Sequence, residues 1–217
     1  MSRRELRFPT ALLAVFAVLP LAAQETADRV QRLAAGPMVG HVGPDRARIW
    51  VQGSARGWAW AETSTDGQRW DRGRYFDGRD ARVYLHEDND FAGVCELPGL
   101  APAQRYLYRI QGEQGPFEVL SEQSFRTPPG PDLAEDLVVA FGSCAGDWGE
   151  DASQPAWLAV DAARPDLFLW LGDNVYFRLQ ESEWLDPAAM AERWRVQRGL
   201  PKLQPLLRRT AHYAVWD

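Results

Sequence analysis

Three residues of metal-ligand type stand directly behind apolar runs in the second half of the chain: Cys144 after LVVAFGS, Asp173 after LFLWLG and Asp217 after YAVW. A thiol and two carboxyls are the donors of transition-metal and mixed-metal centres. Thiolate is soft and favours iron or zinc over magnesium or calcium, so Cys144 points to a transition metal at one position. Asp or Cys at such a place also starts turns and caps helices, and any one of the three alone has that reading. Three placed alike form a pattern.

The positioning elements follow from the runs themselves. Residues 137–142 and 167–171 are unbroken apolar stretches of strand length, which predicts strands buried on both faces in a parallel sheet. The segment QPAWLAVDAARP between them has helical periodicity and supplies the crossover. Open α/β sheets carry their chemistry at the carboxyl ends of the strands. Cys144 and Asp173 are therefore expected on one edge, joined by Asp217 from a third strand at 213–216.

The blocks FGSC, QPAW, PDLFLWLGDNVY and TAHYAVWD resemble the PhoD-like alkaline phosphatases, a branch of the calcineurin-like metallophosphoesterases whose members carry SC, LGDNIY and WDDHD. The resemblance covers nearly the whole chain. It implies an exported metal-dependent hydrolase of phosphate mono- or diesters, with ferric iron and calcium as cofactors and another divalent metal as an option. In-line hydrolysis at phosphorus needs charge neutralised on both the attacking and leaving oxygens, which two ions about 3.5–4 Å apart provide together with a hydroxide. By the resemblance, Asp173 is the catalytic carboxylate that bridges the ions, and Cys144, Tyr176 and Asp217 are further metal ligands. Asn174 would contact calcium or the ligands. Ligation by a Tyr176 phenolate needs a strongly Lewis-acidic ion, because the free phenol has a pKa near 10; read from the sequence alone, Tyr176 is equally an aromatic plug under its loop. The WDDHD block stops after its first Asp, so the chain reads as the front part of a longer protein, with a metallophosphatase domain at 137–217 truncated at its C-terminus and little activity by itself.

Arg3, Arg4 and Arg7 precede an apolar run at 11–23, about thirteen residues, too short for a bilayer span and right for a signal-peptide core. Residues 1–23 are accordingly expected to be cleaved, after export by the Tat or the Sec machinery, to a periplasmic or extracellular location. The whole chain has a formal charge of −6, and losing three arginines and one glutamate makes it more acidic. Such a chain is a poor partner for nucleic acid. No later segment has the length and apolarity of a membrane span.

Residues 36–127 are punctuated by Asp-Gly, Gly-Pro and Pro-Gly turns. Segments 47–52, 57–63, 81–87, 91–97 and 105–111 read as short strands, mostly alternating. The expected fold is an all-β sandwich of fibronectin type III character followed by the start of an α/β metallophosphoesterase domain. The stretch LPGLAPAQRY at 97–106 resembles the corner such domains make before a late strand. FRTPPGP closes the sandwich, and 128–136 form a stiff linker. Cys95 reads as a small buried apolar residue, with a disulfide to Cys144 the lesser option. Trp50, Trp58, Trp60 and Trp70 could present a sugar-binding platform, although packing is the commoner role. That platform would suit a different function, an exported adhesion or carbohydrate-binding protein whose α/β segment is structural. Asp186-Pro187 starts a helix and Gly199 stops it. Arginines on that helix could reach a phosphate or simply cover a solvated surface. His41 and His86 read as structural, and His212 as lying at the amino end of the third strand, away from the chemistry.

Overall fold

The computed structural model describes residues 32–75, 77–118, 120, 123–147, 152–177 and 185–215. The expected signal peptide and Asp217 lie outside these residues. No helix among them is long and apolar enough to cross a membrane.

Alternation of small apolar and polar residues builds the first half. Among the described residues nine strands follow one another: β1 (Leu33–Val42), β2 (Arg46–Gly53), β3 (Gly57–Ser64), β4 (Asp71–Arg72), β5 (Arg82–Leu85), β6 (Ala92–Pro98), β7 (Arg105–Gly112), β8 (Gly115–Pro116) and β9 (Ser124–Arg126). They form two antiparallel sheets, β1-β2-β6 and β4-β3-β7-β8, with β5 added to β3 and β9 to β7. The inward positions fill a common core: Ala47, Ile49 and Val51 from β2 and Cys95 and Leu97 from β6 face Ala59 and Ala61 from β3 and Tyr106, Tyr108 and Ile110 from β7. Strand sides of period two explain why each of these positions is separated from the next by one residue that points away. This is a fibronectin type III-like sandwich. Its corner before β7 is present, since the Tyr106 hydroxyl accepts the amide of Ala101 at 2.9 Å, which ties the incoming loop to the strand. Cys95 is fully buried and unpaired, and burial pushes its thiol pKa up to about 12.

The tryptophans do not enter that core. Trp58 and Trp60 alternate with buried Ala59 and Ala61, so they lie half-buried on the outer face of the second sheet. Arginines cover these rings and Trp70: Arg82 sits 4.1 Å over Trp58, Arg72 4.2 Å over Trp60 and Arg109 4.4 Å over Trp70. An aromatic face stacked by its own guanidinium is not an open platform for a sugar.

The second half holds a three-stranded parallel sheet, β10 (Val139–Gly142), β11 (Leu167–Trp170) and β12 (Ala211–Ala214), in that order. Helix α1 (Ala156–Ala162) connects the first pair, and α2 (Pro187–Arg198) with α3 (Gln204–Arg209) the second. Asp186 caps α2 by accepting the Ala188 amide at 2.9 Å, Pro187 opens it and Gly199 closes it. The third strand sits two residues earlier than its apolar run suggests, because Leu167 pairs with Ala211 and Trp170 with Ala214.

Burial on both faces does not hold for this sheet. Trp157 of α1 and Leu203, Leu206 and Leu207 around α3 pack with Phe168 and Trp170 on one face. Strands laid down in consecutive order with crossovers of one hand place their helices on one side. On the other side, β10 leaves Val139 44% and Phe141 68% exposed.

The two halves meet along β1. Met38 of β1 packs into the helix-side cluster, and the Tyr213 hydroxyl bonds His41 Nδ1 at 3.1 Å. Tyr108 donates to the carbonyl of Arg208 at 3.0 Å, and Arg195 forms a forked ion pair with Asp90.

Candidate metal centre

Parallel pairing aligns Gly142, Trp170 and Ala214 as the last residues of their strands, so the loops that follow leave from one edge. The ladder continues beyond the strands. Leu171 donates to Gly142 at 2.8 Å, Cys144 to Gly172 at 3.3 Å and Ala145 to Asp173 at 3.0 Å. These bonds hold the two loops side by side.

Both loops turn sharply. Cys144 and Asp173 have left-handed backbones, φ 58° and 47°, and Gly172 between strand and carboxylate has φ 120°. Only glycine adopts the last without strain, which is the physical reason for the LGD order in this loop. A non-glycine residue in the left-handed region costs about 1–2 kcal/mol, least for Asp. Such strain, observed at two neighbouring turns, motivates a functional reading of the edge.

The turns bring side chains together. Cys144 Sγ lies 3.6 Å from Asp173 Oδ2, and the Tyr176 hydroxyl donates to the same oxygen at 2.8 Å. Cys144 and Asp173 are exposed, Asn174 and Tyr176 half-buried. Hydrogen bonds to Cys144 first and Asp173 second push the Tyr176 phenol above its usual pKa. The Asn174 Oδ1 atom is buried with no hydrogen-bond partner among the described residues.

These donors fit an ion. Bonds of about 2.3 Å to sulfur and about 2.0–2.2 Å to oxygen at a tetrahedral angle separate the two donors by about 3.5 Å, close to the observed 3.6 Å. One thiol, one carboxyl and one phenol are a set for a Lewis-acidic transition metal rather than for magnesium. The orphaned Asn174 oxygen is of the type calcium takes. Among the described residues no group of three or more His, Cys, Asp and Glu gathers anywhere, so the donor set here consists of Cys144, Asp173 and Tyr176. Asp217 lies outside the described residues.

Side chains from α2 and from the segment before α1 support this edge. Arg193 of α2 is 8% exposed; its Nη2 reaches both carboxylate oxygens of Asp147 at 2.5 and 2.7 Å, while its Nε donates to the Tyr176 carbonyl at 3.0 Å. One guanidinium thus clamps the loop after β10 to the loop after β11. The expectation of a solvated helix surface fails at this position. Gln154, the first residue of QPAW, donates to the carbonyls of Ala145 at 3.0 Å and Gly146 at 2.7 Å. Its Oε1 accepts from Gln197 and Trp157. The only sequence signal for this network was the QPAW block itself.

His212 is placed apart from these groups. It is buried on the helix side of β12, accepting from Trp170 Nε1 at 3.0 Å through Nδ1 and facing the Leu206 carbonyl at 3.2 Å through Nε2. Desolvation, helped by Arg198 and opposed by the Leu206 carbonyl, lowers its pKa to about 3. It is a neutral imidazole of fixed tautomer.

No family model and no curated protein matches the sequence. Among solved structures, the chain is similar to one described as PhoD, with a TM-score of 0.66 at 16% identity, over 86% of this chain and 39% of that one. It is also similar to purple acid phosphatase PPD1 from yellow lupin (Lupinus luteus) seeds, with a TM-score of 0.53 at 12% identity, over 82% of this chain and 34% of that one. The chain therefore spans little more than a third of either, and what it shares with these two phosphatases is the fold.

Proposed function

We propose that this chain carries donors of the centre of a metal-dependent phosphoesterase of the PhoD kind, hydrolysing phosphate mono- or diesters outside the cytoplasm. The observation that carries the reading is the meeting of Cys144 Sγ, Asp173 Oδ2 and Tyr176 Oη at the carboxyl edge of a parallel sheet. Shared fold with two phosphatases supports it.

In this reading Cys144, Asp173, Tyr176 and Asp217 would hold a ferric ion, and Asp173 and Asn174 would offer oxygens to a calcium ion. Ions bound there supply neutralisation of the charge that builds on the phosphoryl oxygens during in-line displacement. The chain's own residues do the rest of the work. Asp173 is held by its strained turn so that its carboxyl faces both loops. Ligation by Tyr176 would require its phenolate, and the raised phenol pKa would make that depend on a strongly Lewis-acidic ion. Arg193 is a positioning residue, fixing the Tyr176 loop through its carbonyl and the Cys144 loop through Asp147.

Loading the purified chain with iron and counting bound metal tests this. Wild type is expected to bind iron with a visible band from thiolate and phenolate ligation; Cys144→Ala and Asp173→Asn should lose the metal, and Tyr176→Phe should shift the band. Arg193→Ala is expected to weaken retention about 10- to 100-fold, the usual range for partners that orient ligands. Equal iron uptake by wild type and Cys144→Ala would defeat the proposal.

A further inference from the structure

Helix α2 ends on an arginine with no acid beside it. Arg198 lies over two indole rings, its Cζ 4.5 Å from the centroid of Trp170 at the end of β11 and 5.0 Å from that of Trp194, one turn back along the helix. Indole faces attract a cation but accept none of its in-plane N–H bonds. The Nη1 atom is buried without a hydrogen-bond partner among the described residues. Burial pulls the guanidinium pKa down to about 10, and no carboxylate acts against that shift. The neighbouring arginines of α2 differ, since Arg193 is paired with Asp147 and Arg195 with Asp90 and Glu192. A cation taken out of water and left unpaired is costly until an anion joins it.

Arg198 borders a cavity of about 370 Å³ between α2 and the first sheet of the sandwich. The walls are largely apolar, with Met38 of β1 and Trp50 of β2 on one side and Ala191 and Trp194 of α2 on the other. Trp50 is half-buried and Trp194 39% exposed, so both rings present surface. Asp90 and Arg195 line the cavity too, but their forked pair satisfies both charges. Among the described lining residues, Arg198 is thus the cation without a carboxylate. Apolar walls around a few placed polar groups, at this volume, are the make-up of a small-molecule site. One desolvated guanidinium suits one negative charge, and a planar carboxylate matches its fork.

We propose that this cavity binds a small aromatic monocarboxylate, with the acid paired to Arg198 and the flat ring held against Trp50 and Trp194. Two indole walls favour a flat aromatic body over an aliphatic one. None of Cys144, Asp173 and Tyr176 lines the cavity, and the proposal does not rest on the phosphoesterase reading.

Calorimetric titration of the full chain with naphthoate, in chelator, tests the site apart from any metal. Saturable binding and a rise in Tm are expected. Binding should be at least tenfold weaker for naphthylmethanol, which keeps the rings without the charge, and for acetate, which keeps the charge without the rings. Arg198→Met should also bind naphthoate at least tenfold more weakly while melting no lower than wild type, because it puts an apolar chain where an unpaired cation was buried. Trp194→Ala should weaken binding, and Asp173→Asn should leave it unchanged. Heats from wild type that do not saturate overturn the proposal, as does equal binding of the alcohol, and neither result depends on a variant's folding. Binding that survives Arg198→Met, or that is lost in Asp173→Asn, overturns it as well.

Discussion

The sandwich and the parallel layer close differently. In the sandwich the buried residues of both sheets share one core, and Val39, Ile49, Val51 and Leu85 reach zero exposure. In the layer, one face is sealed by α1 and α3 while β10 presents Val139 and Phe141 to solvent. The candidate chemistry sits entirely on the half-closed element. A site whose backbone is strained at Cys144 and Asp173 needs support from outside its own sheet, and it receives it: from α2 through Arg193, from Gln154, and through the junction from the sandwich. The difference teaches that the closed region supplies rigidity and the open region supplies reach.

The largest effect should come from emptying each core in turn. Ile49→Ala and Phe168→Ala are expected to cost about 2–5 and about 3–5 kcal/mol, read by urea unfolding with separate probes for the two halves. If the layer depends on the sandwich, Ile49→Ala lowers both transitions and Phe168→Ala mainly that of the layer; a layer unmoved by Ile49→Ala breaks the comparison.

Acid should then select the layer. His212 keeps a folded pKa of about 3 against an ordinary value of 6.5, so below 6.5 the unfolded chain binds a proton that the folded chain refuses. Stability attributable to His212 is complete above pH 6.5 and falls by about 1.4 kcal/mol per pH unit as pH drops towards 3. Urea midpoints between pH 7 and 4 should show this slope in the layer and a flatter one in His212→Gln.

A smaller change probes the junction. Tyr108→Phe leaves the Arg208 carbonyl without its donor and should cost about 1–3 kcal/mol, with faster amide exchange around α3 and β12 rather than inside the sandwich. Uniform exchange across both halves would mean that the two regions already behave as one.

The smallest effect is expected on the outer face of the sandwich. Arg82→Ala removes a stacked guanidinium from Trp58 and should lower stability by about 0.5–1 kcal/mol. A larger loss would make the arginine-covered face part of what holds the sandwich closed.

Much of this was legible in the residues. Period-two alternation located β2, β3, β6 and β7, and turn chemistry located the corner at Tyr106, because both depend on local geometry that neighbouring residues specify. Asp186, Pro187 and Gly199 marked α2 for the same reason. Short edge strands such as β4, β8 and β9 were not legible, since two or three residues carry no period and pair only when a neighbour is already in place. Between the two roles open to Trp58 and Trp60, phase decides that they face outward, because Ala59 and Ala61 own the inward side.

Order along the chain fixed which donors exist and that Cys144 and Asp173 follow strands, because an apolar run and its terminating turn are contiguous. Whether a sulfur and a carboxyl 29 positions apart in sequence come to 3.6 Å was decided by parallel register, left-handed turns and a buried arginine 46 positions from the carboxylate it grips. Such contacts depend on how separate segments stack, and no local pattern encodes them. The same holds for Arg105 and Arg126, ordinary surface charges in the sequence that pairing sets face to face.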